Sequence, residues 1–177
     1  MKTMPAARRL VIAAICAALC VILPMAFHVI PNGGSIFLPM HIPVLLCGMI
    51  CDWKYGILCG LLGPALSSLI TSMPPAAMLP SMMIECAVYG CVSGLILKYL
   101  RNGKTWLDIY AALILAMLCG RVASGIAKAL ILAPGTSFAA WATASFVTAL
   151  PGIAIQLVLL PVMVNALMRA NLIPKRY

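Results

Sequence analysis

"WLDIYAALILAMLCGRVASGIAKALIL", residues 106–132, is apolar for longer than a bilayer is thick, yet it carries Arg121 and Lys128. About 20 apolar residues suffice to cross the hydrocarbon. A charged side chain at mid-bilayer costs at least ~2.5–3.5 kcal/mol on insertion scales. A helix that keeps two cations there must give them a partner or a wet cavity. Their separation of seven residues turns a helix by ~700°, so they share a face about 10 Å apart along the axis. Ser124 and Gly125 lie between them. The stripe reads cation, small polar, glycine, cation.

The rest of the chain agrees with a membrane reading. It has 177 residues, 64% hydrophobic and 8% charged, with a mean hydropathy of +1.13. A soluble domain carries roughly 25% charged residues. The composition predicts an all-α integral membrane protein, with residues 1–177 forming a single membrane domain. Lys2, Arg8 and Arg9 precede an apolar run that continues to about Val29 without a small-residue cleavage site. That run is read as a first transmembrane helix that stays, not as a cleaved signal.

The formal charge of +9 does not point to nucleic acid, because the cations form short clusters between apolar runs and build no basic face. The clusters set topology instead. Six spans are expected at about 7–29, 36–51, 54–72, 78–100, 106–132 and 139–168, judged by the ~20-residue requirement. The second carries Pro39 and Pro43 and is expected to begin irregularly, which is tolerated at membrane depth only against protein or a cavity. Lys2, Arg8, Arg9, Lys54, Lys98, Arg101, Lys104, Arg169, Lys175 and Arg176 all fall on one side of this arrangement. The opposite links, near 30–40, 73–77 and 133–138, hold no Lys or Arg. This asymmetry places both termini in the cytoplasm. The external links "HVIPNGGSIFLPMHIP", "SMPPAAMLPS" and "APGTSFAAW" mix Pro or Gly with apolar residues. They read as lids folded over a pocket, or else as segments lying in the interface.

Glu85 is the one acid deep inside a span. By the ~1.5 Å rise per residue, Glu85, Arg121 and Lys128 fall at overlapping depths in the outer half of the bundle. His41 begins span 2 on that side, His28 ends span 1, Asn32 lies in the first link, Trp141 starts span 6 and Gln156 lies midway along it. Glu85, Arg121, Lys128, His41, Asn32, Trp141 and Gln156 are the candidate substrate-binding residues. Structural alternatives stand beside each. Glu85 and Arg121 can neutralise each other as a pair. Lys128 can snorkel to headgroups. Trp141 and Trp53 can anchor at the interface. The histidines can bond loop carbonyls, and Gln156 can bond another helix.

The eight cysteines include no Cys-x-x-Cys pair and fall almost entirely in apolar runs, so they read as packing residues. No metal and no cofactor is expected. No His-Glu-x-x-His, Gly-x-Ser-x-Gly or phosphate-loop motif occurs, and three acids cannot furnish a proton relay. The chain is expected not to be an enzyme and to have no catalytic residues.

Six spans in under 200 residues, basic cytoplasmic ends, apolar external links and the stretch "LPMHIPVLLCGMICDWKYGILCGLLGP" resemble the S components of energy-coupling factor (ECF) vitamin transporters. The resemblance covers nearly the whole chain. It implies a substrate-binding subunit in the cell membrane. Such a subunit captures a vitamin or related micronutrient outside and delivers it through a transmembrane coupling subunit and two cytoplasmic ATPases. It also implies that the Ala-x-x-x-Ala face of span 1 docks on the coupling subunit. In "LVIAAICAALC" that face is Ala13 and Ala17, with Ala14 and Ala18 in the adjacent register. Small residues four apart permit close helix approach. Two other classes remain open: a stand-alone small-molecule facilitator or channel, and a non-transporting membrane scaffold.

Overall fold

The computed structural model describes residues 4–27, 30–31, 33–100, 102–132 and 137–173. Every element among them is helical. The chain runs through α1 (Ala6–Phe27), α2 (Gly33–Phe37), α3 (His41–Cys51), α4 (Trp53–Thr71), α5 (Leu79–Tyr99) and α6 (Thr105–Ala127). A π-helical turn, Lys128–Leu132, extends α6. Then come α7 (Phe138–Ala142), a second π-helical turn (Thr143–Thr148) and α8 (Leu150–Arg169). Six spans are long and apolar enough to cross a membrane, with α2 and α3 together making the second, Gly33–Cys51. Their outward faces are aliphatic: Leu10, Val11, Ile15 and Ile22 on α1, and Leu58, Leu62 and Leu69 on α4, are all exposed.

α5 is the centre of the bundle and packs on α3, α4 and α6, while α1 packs on α3 and α4. Glycine makes the central seam possible. A Cβ on Gly90 of α5 would collide with the backbone of Gly56 of α4, and one on Gly56 would come within 2.8 Å of the Cα of Gly48 on α3. In a bilayer, lipid competes equally for apolar side chains, so such backbone proximity is what holds helices together. Cys16, Cys20, Cys47, Cys51, Cys59 and Cys86 are buried free thiols on α1, α3, α4 and α5. They behave as small packing groups; among the described residues no set of three or more His, Cys, Asp or Glu is arranged to hold a metal ion.

At the basic end, Asp52 alone links α3 to α4. Its backbone has φ 106°, a conformation that normally favours glycine. Its carboxylate compensates by accepting from the Trp53 N–H at 2.8 Å, and Lys98 Nζ lies 3.9 Å from the other oxygen.

Two spans are broken at the opposite end. The irregular start expected for span 2 is the α2–α3 interruption. Leu38 takes φ 51° immediately before Pro39, whose ring disfavours a right-handed helical residue in front of it. The span expected at 139–168 is not one helix, and this corrects the sequence reading. It divides into α7, a π turn and α8, with Ala149 at φ −85°, ψ 0° between them. A helix through that whole stretch would be about 45 Å long, against a hydrocarbon core of about 30 Å. Pro151, in the first turn of α8, marks the restart. Of the three links read as lids, the first and third pack on the bundle through α2 and α7. The link at 72–78 stays mostly exposed, with Pro74 its buried member.

Candidate functional site

The α2–α3 break positions the first polar groups. The Leu38 carbonyl accepts from the His41 backbone N–H at 3.1 Å and from Gln156 Nε2 of α8 at 3.3 Å. One carbonyl therefore holds His41 and Gln156 beside each other. Gly152, one turn earlier on α8, allows the close contact: a Cβ there would lie 2.7 Å from the Ile36 carbonyl oxygen. The bond to Leu38 also fixes the Gln156 amide, because only its NH2 side can donate to a carbonyl.

His41 leads to α5. Its Nε2 is 3.7 Å from Glu85 Oε1, and its ring lies 5.2 Å from that of Tyr89. Tyr89 donates its hydroxyl to Glu85 Oε1 at 3.1 Å. Glu85 then leads to α6, where the Ser124 hydroxyl stands 3.1 Å from Oε2. That hydroxyl is also 3.1 Å from the Arg121 carbonyl, and its single proton serves one acceptor at a time. Gly120, next to Arg121, lets the Tyr89 ring lie against α6.

The segment after α6 folds back over the same stripe. The Arg121 guanidinium carbon sits 5.5 Å from the centre of the Phe146 ring. Trp141 packs on Gly125, where a Cβ would come within 2.6 Å of the indole, and it meets Phe146 edge-on at 5.9 Å. Thus α2, α3, α5, α6, α7, the second π turn and α8 all contribute to one cluster.

Its chemistry is unusual for a buried region. His41, Arg121 and Ser124 are each 2% exposed and Gln156 is 0% exposed. Yet both ring nitrogens of His41, Nε and Nη2 of Arg121, Nε1 of Trp141 and Oε1 of Gln156 have no hydrogen-bond partner. A buried polar atom without a partner costs about 1–3 kcal/mol, more when charged. Among the described residues no ion pair joins Arg121 to Glu85. Glu85 instead faces the Tyr89 and Ser124 hydroxyls, with His41 Nε2 3.7 Å from Oε1, beyond hydrogen-bond distance.

Lys128 stands apart from this cluster. It begins the first π turn, is half-buried, and lines an open groove of about 360 Å³ with Val122, Gly125, Ile126, Ala129, Phe138 and Trp141. No hydrogen bond or ion pair connects it to Glu85, His41 or Gln156 among the described residues. Asn32 and His28 lie outside the described residues. Tyr89, Ser124 and Phe146 join the cluster without having been chosen from sequence. Tyr89 carried a usable signal, since it follows Glu85 by four residues on one helix face. Phe146 carried none, because its approach depends on how the chain returns after α6.

The family model for the substrate-specific component of ECF transporters matches residues 8–164. The chain belongs to this family. ECF substrate-specific components are transporter subunits and not enzymes. They work with the membrane and ATPase subunits of the ECF transporter. No curated protein and no solved structure matches this ECF component with significance.

Proposed function

We propose that this ECF component captures a vitamin or related micronutrient from outside the cell and hands it to a coupling subunit for ATP-driven uptake. The observation that carries the reading is the set of buried, unpaired polar atoms on His41, Arg121, Trp141 and Gln156. Atoms of this kind are retained where a ligand supplies the missing partners. Glu85 braces the cluster, and Lys128 lines the groove that shares Trp141 with it. Asn32 belongs to the same link as α2. Residues 1–177 act as one membrane domain in the cell membrane, with both termini cytoplasmic and the cluster toward the outside. The absence of Lys and Arg from the links at that end supports this orientation.

Docking on the coupling subunit is assigned to Ala13 and Ala17. They line an apolar groove of about 620 Å³ between α1 and α4, together with Ala14, Ala18, Tyr55 and Leu62. A groove floored by alanines admits another helix at close range.

The test is uptake of radiolabelled vitamins by cells expressing the component with and without the coupling and ATPase subunits. Uptake that requires ATP hydrolysis is expected. Equal uptake without the ATPases would mean a facilitator. In a background free of native cysteines, a cysteine at Ser137 should react with an impermeant thiol reagent in intact cells. Reaction only after permeabilisation would reverse the orientation.

A further inference from the structure

The unpaired atoms of Arg121 are not an arbitrary pair. Nε and Nη2 form one edge of the guanidinium, and their N–H bonds point in parallel. That edge matches two acceptor oxygens on a single group, as in a carboxylate. It is 2% exposed and unpartnered. Glu85 does not fill it: neither nitrogen has a hydrogen-bond partner, and the Glu85 oxygens face Tyr89 and Ser124. The neighbouring Phe146 ring, 5.5 Å away, faces the cation but offers no hydrogen-bond acceptor in the guanidinium plane.

Resting on the reading of this cluster as the substrate site, we propose that the ligand is a small monocarboxylic acid whose carboxylate takes the Nε/Nη2 edge of Arg121. The edge offers two parallel N–H donors, which the two coplanar oxygens of one carboxylate satisfy completely. A dianionic phosphate would bring further charged oxygens that this edge cannot satisfy. The other half of the ligand is defined by the other orphans. Gln156 Oε1 has no partner and its amide is fixed by the bond to Leu38, so the ligand presents an N–H or O–H donor there. Phe146 beside the guanidinium, with Trp141 edge-on to it, suits an apolar or ring-containing body next to the carboxylate. The Phe146 ring of the second π turn lies over the guanidinium.

Purification of wild type, Arg121→Met and Arg121→Lys from cells grown in rich medium, with mass spectrometry of the small molecules released on denaturation, tests this directly. Wild type should carry a molecule with a single free carboxyl and no phosphate. Its affinity for Arg121→Met should fall roughly 30-fold or more, as expected for loss of one side of a buried charged pair. Arg121→Lys should lie between, because an ammonium keeps the charge but not the fork. The primary amide of the same molecule should bind wild type at least as weakly as the acid binds Arg121→Met. This arm uses wild type alone, so it decides even where a variant fails to fold. A neutral, cationic or phosphorylated ligand, or an amide that binds as tightly as its acid, would overturn the proposal while leaving the binding-subunit reading intact. Wild type that carries no small molecule beyond a mock preparation would sink both.

Discussion

The seam of α3, α4 and α5 and the cluster beneath α7 are both buried, but they are built in opposite ways. In the seam, Gly48, Gly56 and Gly90 bring main chains together until no side chain fits between them. Its cost is conformational freedom, and its return is contact that lipid cannot replace. In the cluster, His41, Arg121, Trp141 and Gln156 hold polar atoms with nothing to bond. The seam draws stability from its own contacts, whereas each buried polar atom of the cluster without a partner lowers it.

The sharpest way to break this contrast is in the seam. Gly90→Ala places a methyl into the Gly56 backbone and should cost about 3 kcal/mol, the upper range for overpacking. The check is thermal unfolding of detergent-purified protein without ligand. A variant that melts with wild type would mean that α4 and α5 do not approach this closely.

The cluster should respond differently, with stability and binding moving apart. Glu85→Gln loses a charged acceptor for Tyr89 and Ser124 and should cost roughly 1.5–3 kcal/mol of stability. Arg121→Met should melt no lower than wild type, because it removes an unpaired buried charge. Combining the two should give no rescue. Recovery of the Glu85→Gln loss in the double variant would reveal an Arg121–Glu85 pair and erase the distinction.

Smaller effects belong to the basic end, where charges are satisfied. Asp52→Ala removes the cap on α4 while keeping a Cβ at φ 106°, and should cost about 1 kcal/mol. Asp52→Gly relieves the backbone and should cost less. A glycine variant less stable than the alanine variant would show that the strain is absent. Lys98→Ala breaks a part-exposed contact of 3.9 Å, with Lys98 47% and Asp52 26% exposed, and removes the ammonium 5.7 Å from the centre of the Tyr99 ring. It should shift unfolding by less than ~1 kcal/mol, and less again in high salt.

The spans were legible because hydropathy and the placement of cations are local properties. Pro39 and Pro43 announced the interruption of span 2. The division of the last span was legible only in part: Pro151 and the excess length were visible, but the π turn depends on what packs beside it. Arg121, Lys128 and Glu85 stood out because charge is expensive in hydrocarbon wherever it sits. The company they keep did not stand out. That Glu85 turns to Tyr89 and Ser124 rather than Arg121, and that Lys128 faces a groove, are consequences of helix rotation and of chain return, which no short-range pattern encodes.

The two π turns, Lys128–Leu132 and Thr143–Thr148, bear on a constraint peculiar to this solvent. In water a connecting segment can rearrange by trading its main-chain bonds for hydrogen bonds to solvent. In hydrocarbon each amide released in that way costs several kcal/mol. A π turn reaches five residues along the chain where an α turn reaches four. Both turns therefore widen the helix while each amide still finds a carbonyl along the chain, and the side chains that follow are rotated about the axis relative to an α-helix. The segments on either side of residues 133–136 thus re-aim their side chains without handing main-chain bonds to water.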